Sequence, residues 1–137
     1  MALIADTGVL YGAYDTRDAA HVACAALLSA ATESIVVPAP VVVELEWLLT
    51  GRRRFEAFLT FLDAVETAAV EVVDLRVAEY VRARELCRRY GDLSLGFVDA
   101  AVVAVAERFE EATIATLDHR HFSVVRPRHV AAFELVP

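Results

Sequence analysis

The sequence contains no lysine; all 13 of its cationic side chains are arginine. That absence excludes P-loop phosphate binding, in which a lysine reaches the terminal phosphates. It also excludes Schiff-base chemistry, which needs a lysine amine, and receiver-type phospho-acceptor chemistry that depends on an invariant lysine. Cysteine is scarce: Cys24 and Cys87 stand far apart with no CxxC pair, which predicts reduced, buried thiols. No run approaches the roughly 20 apolar residues of a membrane span. The apolar start, residues 1–5, meets Asp6 with no basic flank and no cleavage site, which predicts a cytoplasmic chain rather than a secreted one. No repeat, low-complexity segment or Pro/Gly/Ser-rich linker interrupts the chain, and its 137 residues predict one domain over 1–137.

What is present is an apolar chain, 58% hydrophobic and 24% charged, with a net charge of −7. This composition excludes a disordered chain and supports a sizeable core without disulfide or metal. The acidic balance, taken alone, weighs against a nucleic-acid partner. The placement of the charges matters more than their sum.

Short apolar runs read as strands over residues 3–5, 34–37, 70–73, 113–116 and 133–136. Helical patterns fall between them: 9–14, 18–31 with Asp18 as N-cap, 41–50 with Pro40 in the first turn and Gly51 as stop, 53–67, 76–90 and 97–109. Phe55, Phe58, Leu59 and Leu62 predict the buried stripe of the 53–67 helix. Strands alternating with helices imply an α/β sandwich, a mostly parallel sheet of about five strands covered on both faces. In such folds chemistry is sought beyond the carboxyl ends of the strands.

Two aspartates, Asp6 and Asp118, follow apolar strands directly, and two further acids interrupt apolar helices: Glu44 in Val41-Val-Val-Glu-Leu45 and Asp99 in Gly96-Phe-Val-Asp-Ala-Ala101. Each has an alternative reading: Asp6 and Asp99 as helix caps, Asp118 as an Asx-turn residue, Glu44 on a solvent-facing helix edge. A shared site explains all four at once. Converging carboxylates are costly unless a cation offsets their repulsion, and oxygen-only donors favour Mg2+ or Mn2+ over zinc. Two other motifs are weaker. Asp6-Thr7-Gly8 spells an aspartic-protease signature, but in a helix-rich chain; His119, His121 and His129 lack a fourth zinc ligand at suitable spacing and read as loop or RNA-facing histidines. The haloacid phosphatase pattern requires a second aspartate where Gly8 stands.

Together, Asp6-Thr7, Glu44 in Val42-Val-Glu-Leu-Glu46, Gly96-Phe-Val-Asp-Ala-Ala101 and Thr113-Ile-Ala-Thr-Leu-Asp-His-Arg-His-Phe122 resemble the PIN domain, and within it the VapC toxins of toxin–antitoxin pairs. The resemblance covers essentially the whole chain. It implies a PIN-like three-layer α/β/α sandwich and a Mg2+- or Mn2+-dependent endoribonuclease that hydrolyses tRNA or rRNA. It further implies inhibition by a cognate VapB-type antitoxin and a homodimer, with no membrane association. The rival is a catalytically silent PIN-like module acting by association. By position, Asp6, Glu44 and Asp99 match the family's metal-binding acids, Asp118 the fourth and more variable one, with Thr7 and Thr116 supporting them. Gly8 departs from the serine or asparagine common in relatives, and His119 from an arginine. Arg52, Arg53, Arg120, Arg126 and Arg128 are the candidates for gripping RNA phosphates.

Overall fold

Five strands, β1 (Ala2–Ala5), β2 (Ser34–Pro38), β3 (Glu71–Val73), β4 (Thr113–Ala115) and β5 (Glu134–Val136), form one sheet of order β3-β2-β1-β4-β5. Every pairing is parallel, in a computed structural model that describes residues 1–137. The register sets Ile4 beside Val36 on one side and Ile114 on the other. All four β1 residues are buried. Because successive side chains of a strand point to opposite faces, burial of the whole run means that both faces of the sheet are covered. The α/β sandwich expected from the sequence is therefore present.

Seven helices supply that cover: α1 (Thr7–Tyr14), α2 (His21–Ala30), α3 (Ala39–Gly51), α4 (Phe55–Glu66), α5 (Val77–Arg89), α6 (Phe97–Arg108) and the short α7 (His119–Phe122). The sequence did not predict α7 or the 3-10 turn Gly91–Leu93. Two strands pass into helices with almost no loop, β1 through Asp6 into α1 and β2 directly into α3, with Pro40 in the first turn where its missing N–H costs nothing. Residues 100–106 of α6 are all buried, so this helix runs through the core.

Two local expectations are corrected. The second helix begins at His21, not Asp18; the Asp18 carboxylate accepts the Ala20 N–H at 2.9 Å and closes a turn before the helix. On α4 the buried pair is Phe58 and Phe61, while Phe55, Leu59 and Leu62 stay partly exposed, at 37–48%. The cause is aromatic packing: Phe61 meets Tyr14 edge-on at 5.6 Å and stacks on Phe58 at 6.0 Å, rotating the helix about its axis toward α1. Cys24 and Cys87 are free thiols, as expected, the first buried and the second half-buried.

Gly12 lets α1 and α2 approach. A Cβ there would lie 2.8 Å from Cys24 Sγ and 3.3 Å from its Cβ. Gly12→Ala should therefore lower the melting temperature, by the roughly 1–3 kcal/mol of an overpacked core less up to about 1 kcal/mol regained in helix propensity. A second change, Cys24→Ala, should recover part of the loss. Thermal denaturation of the single and double variants measures both, and an unchanged midpoint for Gly12→Ala would show the contact to be slack.

Candidate active site

The strand order dictates where a cleft forms. From β1 the chain moves outward to β2 and β3, then crosses to β4 and β5 on the other side of β1. The order reverses between β1 and β4, and beyond the carboxyl ends of two such strands a crevice opens. Asp6 stands at the end of β1, and Thr116 and Asp118 follow β4.

One hydroxyl ties these strand ends together. Thr116, fully buried, donates its Oγ1–H to Asp6 Oδ2 at 2.9 Å and accepts the Asp118 N–H at 2.9 Å. Asp6 Oδ1 accepts the Thr7 N–H at 2.8 Å, so Asp6 is also the N-cap of α1. Asp118 caps α7 through the His121 N–H at 3.0 Å. Glu44 comes from α3 and Asp99 from the first turn of α6, both half-buried. Asp6, Glu44, Asp99 and Asp118 line one cleft of about 570 Å³ together with Thr7, Gly8, Leu48 and Leu117. The four acids singled out from the sequence thus meet. So does Thr7, while Thr116 lies beneath them.

The electrostatics record the crowding. Burial pushes Asp6 up from 3.8 to about 7, and the charges of Asp99 and Glu44 add to the rise, against the lowering influence of the Thr7 and Thr116 hydrogen bonds. Asp99 is also raised, first by burial; the Asp118 and Glu44 charges push it further, while His121 opposes them. The Thr7 Oγ1 is buried with no hydrogen-bond partner. Several hard oxygen donors, an orphaned hydroxyl and acids held above their ordinary range fit a divalent cation.

His121 is the site residue that sequence reasoning missed as a partner of the acids. Its Nδ1 lies 3.0 Å from Asp99 Oδ2 and 2.7 Å from Asp118 Oδ2. The local signal was the Asp-x-x-His spacing of a capped turn, but the contact with Asp99 is tertiary. The three histidines do not gather: His119 is exposed, and His129 Nε2 meets the Glu111 carbonyl at 2.7 Å.

The arginines divide. Arg52 lies over the Tyr11 ring, 5.2 Å from its centroid, in a side cleft that shares Gly8, Leu48 and Leu117 with the acids. Arg120 is exposed on α7 beside Asp118. Arg53 is exposed in a left-handed turn with φ 59°. Arg126 is exposed, and its N–H is bonded to Tyr90 Oη at 2.9 Å. Arg128 is placed elsewhere: its guanidinium pairs with Glu85 at 2.7 Å and its N–H with Glu107 at 3.1 Å. Glu107 is eight residues beyond Asp99 on α6, about 12 Å along the helix.

A profile of the PIN domain matches residues 3–126. Over 135 residues the chain is 33% identical to a Mycobacterium tuberculosis protein, ribonuclease VapC26, covering 98% of this chain and all of that one. Among solved structures, M. tuberculosis VapC20, described as a sarcin–ricin loop cleaving toxin, shares the fold with a TM-score of 0.83 at 21% identity, over 94% of this chain and 98% of that one. VapBC2 of Rickettsia felis, solved on a DNA fragment from its promoter, matches with a TM-score of 0.70 at 17% identity over the whole of both chains.

The Asp6 shift carries a sign. In the metal-free chain the folded state holds this proton more tightly than the unfolded chain, so the contribution is most favourable below about pH 4. It falls as pH rises from about 4 to about 7, and above that the ionised group carries a penalty on the order of 4 kcal/mol. Asp6→Asn should flatten that slope in metal-free denaturation curves. Mn2+ should raise the wild-type midpoint more at pH 8 than at pH 5. Parallel pH profiles for wild type and Asp6→Asn would contradict the assignment.

Proposed function

The chain belongs to the PIN-domain family, and on that premise we propose that residues 1–137 form one PIN domain acting as the endoribonuclease toxin of a toxin–antitoxin pair. The observation that carries this reading is the convergence of Asp6, Glu44, Asp99 and Asp118 in one cleft, on a chain 33% identical to a ribonuclease over nearly its whole length. The reaction is hydrolysis of RNA phosphodiester bonds. The likeness in fold to a toxin that cleaves the sarcin–ricin loop supports structured RNA, tRNA or rRNA, as substrate.

Asp6, Glu44 and Asp99 would hold Mg2+ or Mn2+, with Asp118 at the margin of the same cleft. When bound, such an ion supplies neutralisation of the phosphate charge and acidification of water. The side chains do the positioning. The Thr116 hydroxyl and the Thr7 backbone N–H each donate to one oxygen of Asp6 and fix its plane, leaving the remaining lone pairs free. Glu44, which forms no ion pair, or Asp118 orients the attacking water and accepts its proton. Arg52 and Arg120 flank the acids and serve the backbone phosphates.

The partners of this reading are a VapB-type antitoxin that inhibits the enzyme and a second copy of the chain. The fold of a VapBC pair supports the first. An apolar groove of about 940 Å³, lined by Val43, Trp47, Tyr80 and Phe97 beside Glu44, offers contact area next to the acids. No helix is long and apolar enough to cross a membrane.

Cleavage of tRNA and rRNA with Mn2+ should be abolished by EDTA and reduced at least about a hundredfold by Asp6→Asn or Asp99→Asn, the scale of several kcal/mol lost from charge stabilisation at the phosphate. Metal-independent cleavage, or full activity in both variants, would instead support a silent binding module. Thr116→Val should weaken cleavage and Thr116→Ser largely restore it, since only the hydroxyl bridges Asp6 and the Asp118 loop. Arg52→Ala should leave the cleavage pattern unchanged while weakening RNA binding, with a salt slope shallower by about one.

A further inference from the structure

Three electron-pair donors face one another at the Asp99 edge of the cleft. His121 Nδ1 lies 2.7 Å from Asp118 Oδ2 and 3.0 Å from Asp99 Oδ2, and one potential ligand atom from each residue lies within 4.8 Å of the other two. The opposite ring nitrogen settles which of them carries a hydrogen. Nε2 is 3.0 Å from the Leu93 carbonyl oxygen, an atom that only accepts, so Nε2–H is the donor. In the neutral ring Nδ1 then bears a lone pair. A proton on Nδ1 would have to point at one of the carboxylates. Nδ1 is itself buried, with a carboxylate oxygen of each aspartate beside it.

Electron-pair donors held this close require either a proton on Nδ1 or a metal cation among them. A histidine with one ring nitrogen anchored on a backbone carbonyl and the other turned toward carboxylates has the outer-shell support that metal-binding histidines use. In the same cleft Thr7 Oγ1 is buried and unpartnered, in a residue only 3% exposed. We propose that His121 Nδ1, Asp99 and Asp118 form a nitrogen-containing site for a first-row transition-metal ion, beside the oxygen-only donors Asp6 and Glu44. The inference rests on the reading of this cleft as a divalent-metal site and sharpens it. An imidazole ligand favours Mn2+, Co2+ or Zn2+ over Mg2+ and Ca2+, which demand oxygen. The site departs from the oxygen-only donor set that the sequence motifs imply, and it sets the ion preference of this chain through one side chain.

The test uses the metal-stripped full chain and two probes, Mn2+ and Co2+. Pulsed EPR of Mn2+-loaded wild type should show nitrogen hyperfine coupling, and His121→Gln, whose amide can still donate to Leu93, should lose it. By calorimetry the same variant should bind Co2+ about tenfold or more weakly, with Mg2+ affinity changed by less than about twofold. Absence of nitrogen coupling in wild type overturns the proposal whether or not the variant folds. Unchanged Co2+ affinity in a His121→Gln chain with native circular dichroism overturns it too. Absence of binding of any divalent ion removes the metal reading of the cleft as well. Loss of RNA cleavage alone, with nitrogen coupling intact, counts against the ribonuclease reading and leaves this site standing.

Discussion

Repulsion between carboxylates held in poorly solvated surroundings is the constraint on which the rest of this structure turns. Asp6 is 5% exposed, receives two hydrogen bonds and caps a helix, yet still titrates near 7. Two neutral donors and the positive end of α1 are thus too little to offset desolvation plus the charge of Asp99. A fold keeps such an arrangement only if the surrounding core holds it in place. Here the core does: β1 and the middle of α6, the elements that deliver Asp6 and Asp99, are buried along their length. The acids cannot swing apart without disturbing the best-packed part of the molecule. This is the usual relation between a strained site and a stable scaffold.

Capping and function do not compete at these positions. Asp6 uses Oδ1 for Thr7 and Oδ2 for Thr116, and each oxygen keeps a second lone pair. Asp118 accepts from the His121 N–H through Oδ1 and presents Oδ2 to the ring of the same histidine. The reading of Asp6 as a cap is therefore correct and incomplete, because the cap fixes the carboxylate's plane and aims its remaining lone pairs; Asp99 is no cap, since Gly96 holds that position of α6. Thr116 extends the principle across the sheet. Its single hydroxyl donates to one strand end and accepts from the next loop, which joins the position of Asp6 to that of Asp118.

How much of this was legible in the sequence follows from which contacts are local. An acid after an apolar strand and an acid among valines on a helix are patterns within a few residues, so Asp6, Glu44, Asp99 and Asp118 could be read directly. The parallel sheet could be read too, since strand and helix periods alternate cleanly. What escaped depends on tertiary packing. The buried face of α4 is set by Phe61 against Tyr14, on another helix. The partner of Asp99 is His121, which reaches it only because α7 folds back past the 3-10 turn at Gly91–Leu93. Arg128, a phosphate-binding candidate from the sequence, is instead held by Glu85 and Glu107, away from the acids.

The missing lysines and the acidic total, −7, have one physical resolution. Arginine's planar fork makes two-point pairs that an ammonium cannot, and Arg82 grips Glu107 in this way, through both Nε and Nη2 at 2.9 Å; Arg108 makes a single contact of 2.6 Å with the buried Glu79. Arg54 is drawn to Asp15 and Arg128 to Glu85. Four of the 13 arginines are therefore held in ion pairs within the fold, while Arg52 and Arg120 stand near the acids. On the proposed reading a polyanion would meet an acidic cleft with two arginines near it, and a cation held by the carboxylates would govern whether a phosphate can enter. Net charge thus says little about the partner, because on this proposal the charge that matters is the one the acids would acquire, and the nitrogen of His121 would bear on which ion brings it.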